Sequence, residues 1–437
     1  MAETRSNIKA FRLVFIFYLT TILLFTLIYL LPISHLSRIG VIDSVFVSTS
    51  ALSVTGLSTI DISRSLSVFG QIILMIEMQL GGIGILVVMS YLFLMLGKRL
   101  TMSNLLLLSK DQNQSNLRNI RSLAFSVLLI ALLFEFVCFL VSLFVLLPHY
   151  TNVSHAVFLA LFHSVASFTN SGFDLFGNGL LSYQKSKWFV LTTAFTIFFG
   201  SLGYPTIMEY VFSFKKKKSL FTRINIRMHF GLLAAGALLF FLLEYGHALQ
   251  RLNLMDKFTN SIFLSATARN GGLSTLPLSS VTMTSLMILM FLMFIGGASS
   301  SAGGGIRLTT FRVLIAKTAS VAKSQEHTVI KKKNIAEETI NKSFLIFFSF
   351  SMLLFIAAVI LSMLEKQPME AIIFEVLSAL TNTGLSLGIT SELSSVSKIV
   401  LILLMIIGRI GIFSMIYSVL KLKASRTRYL KEDLAVG

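Results

Sequence analysis

Long and short apolar segments alternate along this 437-residue chain in a fixed order. The long ones lie at about 11–32, 66–97, 123–148, 188–212, 229–249, 283–297 continuing through 306–322, 343–364 and 397–420. At about 1.5 Å per helical residue, such segments match a hydrocarbon layer of about 30 Å, so they predict eight membrane crossings. Inside each successive pair sits a shorter apolar stretch, at about 43–53, 155–168, 258–267 and 369–380. A helix of roughly 11–14 residues reaches only about half that depth and must turn back. The pattern therefore reads helix, half-helix, extended loop, helix, four times over. Non-helical backbone at that depth is tolerable only where it lines a water-filled path.

The polar residues that follow each short stretch repeat in register. The loops read Ser-Val-Thr-Gly-Leu ending at Leu57, Thr-Asn-Ser-Gly-Phe ending at Phe173, Arg-Asn-Gly-Gly-Leu ending at Leu273 and Thr-Asn-Thr-Gly-Leu ending at Leu385. Aligned on Gly56, Gly172, Gly272 and Gly384, the position two before glycine holds Val54, Asn170, Asn270 and Asn382; between lie Thr55, Ser171, Gly271 and Thr383. Six before glycine the residue is always small: Ser50, Ala166, Ala266 and Ser378. A spacing of 100–116 residues is too long for a solenoid and suits tandem duplication of a membrane unit. The units predicted are 1–97, 98–212, 213–322 and 323–437, giving an all-α membrane protein of four helix/pore-loop/helix repeats around a pseudo-fourfold pore.

Composition closes off the soluble classes, since 55% of residues are hydrophobic and only 13% charged. The first apolar run lacks a small-residue cleavage site after it and is expected to stay as a helix. Charge supplies an orientation: 27 of the 37 Lys and Arg fall at the start, in the three inter-repeat connections or after residue 420, and nine fall on the other side. By the positive-inside rule both termini and those connections are cytoplasmic, with all four half-helices entering from outside. The run Lys215 to Lys218 then reads as topology and anionic headgroup contact rather than nucleic-acid binding. One cysteine, Cys138 in an apolar run, gives no intrachain disulfide and no thiolate metal cluster.

Four equivalent re-entrant units with a glycine in each are what a cation pore requires. An ion leaving water must exchange its hydration shell for several oxygens at once, and backbone carbonyls from four loops supply them without fixed charge. Glycine turns neighbouring carbonyls toward an axis without a Cβ clash. Half-helices that aim their C-terminal ends at the axis add the negative end of each dipole. An intramembrane serine hydrolase built on His163 and Ser164 lacks an identifiable partner residue and gives no reason for fourfold repetition. An alternating-access cation symporter is a closer alternative, although repeats that all start on the same side favour a pore over an inverted-repeat transporter.

The stretches Ser50 to Leu57, Phe162 to Asp174 and Glu375 to Gly384 resemble the first, second and fourth pore loops of the Trk/Ktr/HKT superfamily of potassium transporters. The likeness covers essentially the whole chain, and its length fits the membrane (KtrB-like) subunit of bacterial Ktr systems. The resemblance implies a bacterial cytoplasmic-membrane location, potassium as the transported ion, and potassium preference from glycine in all four filters. It also implies sodium as activator or co-transported ion, a homodimer, and a cytosolic ring of KtrA-type RCK subunits binding ATP or ADP, with no cofactor in this chain. The tail Arg428 to Gly437 resembles the Ktr segment that inserts at the dimer interface. The third loop departs from the family in Ala268 before Arg269 and Asn270-Gly271-Gly272-Leu273 after it, and the fourth in Thr381-Asn382. Those departures bear on fine selectivity.

A second glycine element follows each filter by 24 to 28 residues: Gly81-Gly82-Ile83-Gly84, Gly200-Ser201-Leu202-Gly203-Tyr204-Pro205, Gly296-Gly297 and Gly408-Arg409-Ile410-Gly411. Close helix packing explains small residues there as well as any pore role does. The third copy runs on as Gly296, Gly297, Ala298, Ser299, Ser300, Ser301, Ala302, Gly303, Gly304 and Gly305, which cannot continue a stable helix, so this span is expected to break. The absence of Gly-Lys-Ser/Thr argues against a phosphate loop. By resemblance this segment is a gate obstructing the pore under the filter, and Arg409 faces the pore there. Arg409 is read as the basic residue within a span, acting as a barrier to cations or pairing with the gate's carbonyls; a salt bridge to Glu77 or another acid is the structural alternative. Glu209 and Glu244 lie near span ends, Glu77 and Glu135 are expected to find buried partners, and Glu375 is expected to brace the fourth loop.

Overall fold

In the computed structural model, the residues described are 2–84, 120–212 and 217–411. The end of the first repeat's second span, most of the 98–122 connection, Lys215 and Lys216, and the C-terminal tail lie outside them. Among the described residues, fourteen α-helices of nine residues or more follow one another: α1 Ala2–Tyr29, α2 Val41–Leu52, α3 Val68–Ile83, α4 Ile120–Leu146, α5 Val153–Thr169, α6 Lys187–Ser201, α7 Tyr204–Phe212, α8 Leu220–Glu244, α9 Leu254–Thr267, α10 Met283–Phe294, α11 Leu308–Ala322, α12 Glu337–Leu364, α13 Met369–Thr381 and α14 Ser395–Ile410. A two-stranded hairpin, β1 Val329–Ile330 and β2 Lys333–Asn334, joins α11 to α12.

Four helices play the same part in each repeat. The outer helices α1, α4, α8 and α12 carry exposed leucine and phenylalanine along their lengths, among them Leu27, Leu133, Leu238 and Phe348, as helices facing hydrocarbon do. Ser126–His149, Leu220–Glu244 and Glu337–Leu364 are each long and apolar enough to cross a membrane unaided. The short helices α2, α5, α9 and α13 are buried among them and end close to the expected boundaries. Their N-termini are capped where the sequence allows it, by Asn152 for α5 and Asn253 for α9.

Each short helix packs on its own outer helix and on the inner helix of the preceding repeat: α3 on α5, α6 on α9, α10 on α13 and α14 back on α2. That last contact closes the ring between the first and fourth repeats. Lys398 Nζ, 2.9 Å from Asp43 Oδ1, ties the same seam, from the first turn of α14 to the first turn of α2.

Inner helices depart from the expected straight spans. The chain bends by 100° between α6 and α7, at Gly203 with φ +89°. Gly84 and Gly411 end α3 and α14 with φ of +97° and +89°, and Gly305 in the interrupted third span has φ +75°. Where a break is expected only in the third copy, α3, α6 and α14 thus also end at or just before a left-handed glycine within the described residues, because a left-handed residue cannot continue a right-handed helix. The preceding glycines are there for packing. A Cβ on Gly81, Gly200 or Gly408 would lie 2.3, 2.2 and 2.2 Å from the carbonyl oxygens of Leu52, Phe168 and Leu380, at the ends of α2, α5 and α13.

Candidate functional site

Each short helix runs into a loop with the same backbone signature. Val54, Asn170, Asn270 and Asn382 are left-handed, with φ of 59°, 60°, 73° and 53°, and the glycines two residues on have φ of 94°, 72°, 69° and 84°. Asparagine enters this region readily, whereas Val54 does so against its branched side chain. The intervening N–H turns back to the helix: Thr55 to the Ser50 carbonyl at 2.8 Å, Ser171 to Ala166 at 3.0 Å and Thr383 to Ser378 at 2.9 Å. These acceptors are three of the small residues six places before glycine; in the third loop Gly271 instead donates to Thr267 at 2.8 Å. Left-handed backbone at alternate positions turns toward one side carbonyls that an extended strand would alternate between two faces.

The four glycines meet one another around a closed circuit. A Cβ on Gly56 would fall 2.3 Å from the Ser171 oxygen and 3.0 Å from Gly172 Cα, and one on Gly172 would fall 2.7 Å from Gly272 Cα. From Gly272 the next neighbour is the Thr383 oxygen at 3.1 Å, and from Gly384 it is the Thr55 oxygen at 1.9 Å. Loops some 330 residues apart in sequence therefore sit in backbone contact, first to second to third to fourth to first. No side chain fits at these positions, so glycine is needed both for its φ and for the space.

Asparagine side chains brace this circuit rather than point free. Asn270 Nδ2 donates to the carbonyls of Thr381 at 2.6 Å and Asn382 at 3.1 Å, across the third-to-fourth seam. Asn382 Nδ2 donates at 2.9 Å to Thr55 Oγ1, across the fourth-to-first seam, and at 2.9 Å to the Met405 carbonyl of its own repeat. Asn170, with its amide nitrogen facing the carbonyls of Ser167 and Ile197, holds the second loop to its own repeat.

The non-helical segment between α10 and α11 lies against the inner side of the circuit. Gly303 stands so close to Asn270, and Gly304 to Asn382, that added Cβ atoms would lie 2.6 and 2.5 Å from the amide oxygens. Gly297 N–H donates to Asn270 Oδ1 at 3.1 Å. The second repeat's elbow holds the segment from the side: Ala298 N–H donates to the Ser201 carbonyl at 3.0 Å, Ala302 to Gly200 at 3.2 Å, and Tyr204 N–H to Ser300 at 3.0 Å. Of Gly296 to Gly305, only Ser300 and Gly305 are half-buried, and the rest, Gly296 to Ser299 and Ser301 to Gly304, are buried.

Three arginines converge on the same segment. Arg409 donates to the carbonyls of Ala302, within this segment, and of Gly81, and not to Glu77. Glu77 accepts instead from Tyr29 Oη at 2.7 Å and Ser48 Oγ at 2.6 Å, and Glu135 accepts from Gln79 at 2.8 Å. Arg307, which the charge pattern counts with the cytoplasmic connection, donates to Ala298 and Gly303. Arg269, fully buried beside the third loop, donates to Gly296 at 3.0 Å and His229 at 3.3 Å. A polar cavity of about 50 Å³ opens under the segment between Arg307, Arg409, Ser301 and Tyr204. Sequence reasoning missed Arg269 and Arg307 as parts of this assembly; their adjacency to Asn270 and Gly305 was the available signal. Glu375 braces the fourth loop through Ser386 and, at 3.0 Å, Thr390, while Glu244 caps α10 through Thr282.

A family model described as TrkH, cation transport protein, matches residues 6–427. The chain belongs to the TrkH family of cation transport proteins. That membership sets it among transporters rather than enzymes. Among TrkH-family relatives, the Ktr system potassium uptake protein D of Bacillus subtilis is 33% identical over 98% of this chain and 97% of its own. The Ktr system potassium uptake protein B of Vibrio alginolyticus is 31% identical over 98% and 94%, and the potassium/sodium uptake protein NtpJ of Enterococcus hirae is 29% identical over 93% of each. The crystal structure of the potassium transporter TrkH from Vibrio parahaemolyticus matches with a TM-score of 0.76 over 94% of this chain and 84% of that one, at 20% identity, and supports the fold.

Proposed function

We propose that this TrkH-family protein is a potassium uptake subunit with a channel-like path through the ring of four glycines. The closed circuit from Gly56 through Gly172 and Gly272 to Gly384 carries the reading. Carbonyls of Val54-Thr55-Gly56, Asn170-Ser171-Gly172, Asn270-Gly271-Gly272 and Asn382-Thr383-Gly384 replace the ion's water, one loop from each of the repeats 1–97, 98–212, 213–322 and 323–437. Potassium as the ion rests on the relatives' named activities and on glycine in all four loops. The segment Gly296 to Gly305 is the gate, held shut by Arg307 and Arg409, whose charges also oppose cation passage. The basic connections face the cytoplasm by the positive-inside rule, and they are the docking surface for a KtrA-type RCK ring that binds ATP or ADP. Sodium dependence and homodimer assembly follow from the Ktr resemblance.

Growth of a potassium-uptake-deficient bacterium on limiting potassium, with rubidium uptake through wild type and Gly272→Ser, tests the assignment. Rescue by the wild type, and lost uptake or selectivity in a variant that still reaches the membrane, are expected. A wild type that moves neither ion when co-expressed with a matching cytosolic ring would sink it.

A further inference from the structure

The elbow between α6 and α7 forms the back wall of an apolar groove of about 530 Å³ that opens on the lipid-facing side of the second and third repeats. Leu129 and Phe134 of α4, Phe199 and Leu202 at the elbow, Ile207 of α7 and Phe230 of α8 line it. Its size falls in the range of pockets that hold small apolar ligands. Leu129 and Phe230 are each about half exposed, so the mouth faces the hydrocarbon that surrounds a membrane protein.

One end of the groove is basic. Arg223 precedes the lining residues Ile226 and Phe230 by three and seven positions on α8, which puts it on the same helix face, roughly 5 Å nearer the helix start. It is exposed, its Nε donates to the Lys218 carbonyl at 3.0 Å, and it forms no ion pair among the described residues. Lys218 Nζ stands 4.6 Å over the ring of Tyr210, another lining residue, and donates to the Glu209 carbonyl at 2.7 Å, while the Glu209 carboxylate beside it is taken up by Ser219 and Thr222. An apolar slot open to hydrocarbon that ends in the exposed Arg223 guanidinium, with Lys218 engaged beside Glu209, matches a molecule with a long alkyl chain and an anionic head.

We propose that this groove holds one acyl chain of an anionic phospholipid, with its phosphate against Arg223. The same wall carries the carbonyls of Gly200 and Ser201 and the N–H of Tyr204 that hold Ala302, Ala298 and Ser300. Occupancy stiffens the elbow and so steadies the segment under the ring. This consequence for flux rests on the gate reading above; the binding does not.

Tryptophan fluorescence in vesicles tests it. The chain has one tryptophan, Trp188, so Phe230→Trp in a Trp188→Phe background reports on the groove alone. Full-length protein is placed in phosphatidylcholine vesicles doped with brominated phosphatidylglycerol or brominated phosphatidylcholine. One basic contact near the surface predicts half-maximal quenching at a roughly fivefold lower mole fraction of the anionic lipid, a preference that Arg223→Gln removes. Equal quenching by both lipids, or a preference that survives Arg223→Gln, overturns the site. Rubidium flux should change with phosphatidylglycerol in the wild type and not in Arg223→Gln; selective quenching with unresponsive flux overturns the coupling to the loop.

Discussion

Gly384→Ala and Gly388→Ala form a matched pair that separates backbone strain from ring geometry. Both glycines have left-handed backbones, with φ of +84° and +96°. Alanine at either site costs about 1–2 kcal/mol for the conformation alone. At Gly388 nothing lies within 4 Å of the new methyl, and the cost ends there. At Gly384 the methyl would sit 1.9 Å from the Thr55 oxygen, where real Cβ contacts essentially never fall below 3.0 Å. The Thr55 carbonyl must therefore retreat by about 1.1 Å, the difference of those distances, or the fourth loop must move by as much. A ring of carbonyls that stands in for a hydration shell loses a ligand under such a shift. Rubidium uptake per molecule in the membrane should fall at least about tenfold in Gly384→Ala, equivalent to roughly 1.4 kcal/mol at the barrier. Gly388→Ala should stay within about twofold, since its cost is conformational strain. Surface amount is measured by blotting, and selectivity by competition between potassium and sodium. If the two variants transport alike, the four glycines do not form the ion's path.

Deleting residues 297–304, or changing Arg409→Gln, should raise rubidium flux in vesicles, since either removes contacts that seat the segment; unchanged or lower flux in both would remove the gate. Asn270→Ala gives up the amide donors to Thr381 and Asn382 and the acceptor for Gly297, and is expected to lose about 2–3 kcal/mol of stability in thermal unfolding and to blur potassium over sodium preference. Burial pushes the Asp174 carboxyl above its ordinary value of 3.8, partly offset by the N–H groups of Gly177 and Phe176. The folded state then holds a proton that the unfolded chain has lost, so stability falls as pH rises from 3.8 through the raised value. Asp174→Asn should melt higher than wild type at pH 7, with the gain disappearing below the ordinary carboxylate range; a gain that persists in acid would refute the assignment.

The repeat was legible because its parts depend on local signals. Four half-helices end where apolar stretches give way to polar loop residues, and four glycines stand where φ must be positive. The interruption at Gly296 to Gly305 was legible too, since so many glycines and serines cannot hold a helix. The 100° elbow was not, although Gly203 followed by Pro205 carries the signal of a helix end. Hydropathy over 188–212 stays apolar through the bend, and a window that averages apolar residues is blind to direction. Partners across the ring were out of reach for another reason. Asn270 bonds residues 111 and 112 positions away, and nothing in its own neighbourhood fixes that pairing. Arg307 looked like a charge at the start of a connection because sequence cannot tell a side chain that leaves the membrane from one that folds back under a loop.

Among the described residues, the third inner span alone shows a long non-helical stretch, residues 295–307, between two helices, and this inequality depends on the whole ring being encoded in a single chain. In a pore assembled from four identical subunits every insertion appears four times, and an obstruction long enough to reach the axis would collide with three copies of itself. Here the third quarter alone, among the described residues, lays such a segment against the loops, with Gly303 and Gly304 packed on the Asn270 and Asn382 side chains. Four covalently joined quarters are thus free to differ, and one of them can carry a segment that four identical subunits could not each accommodate.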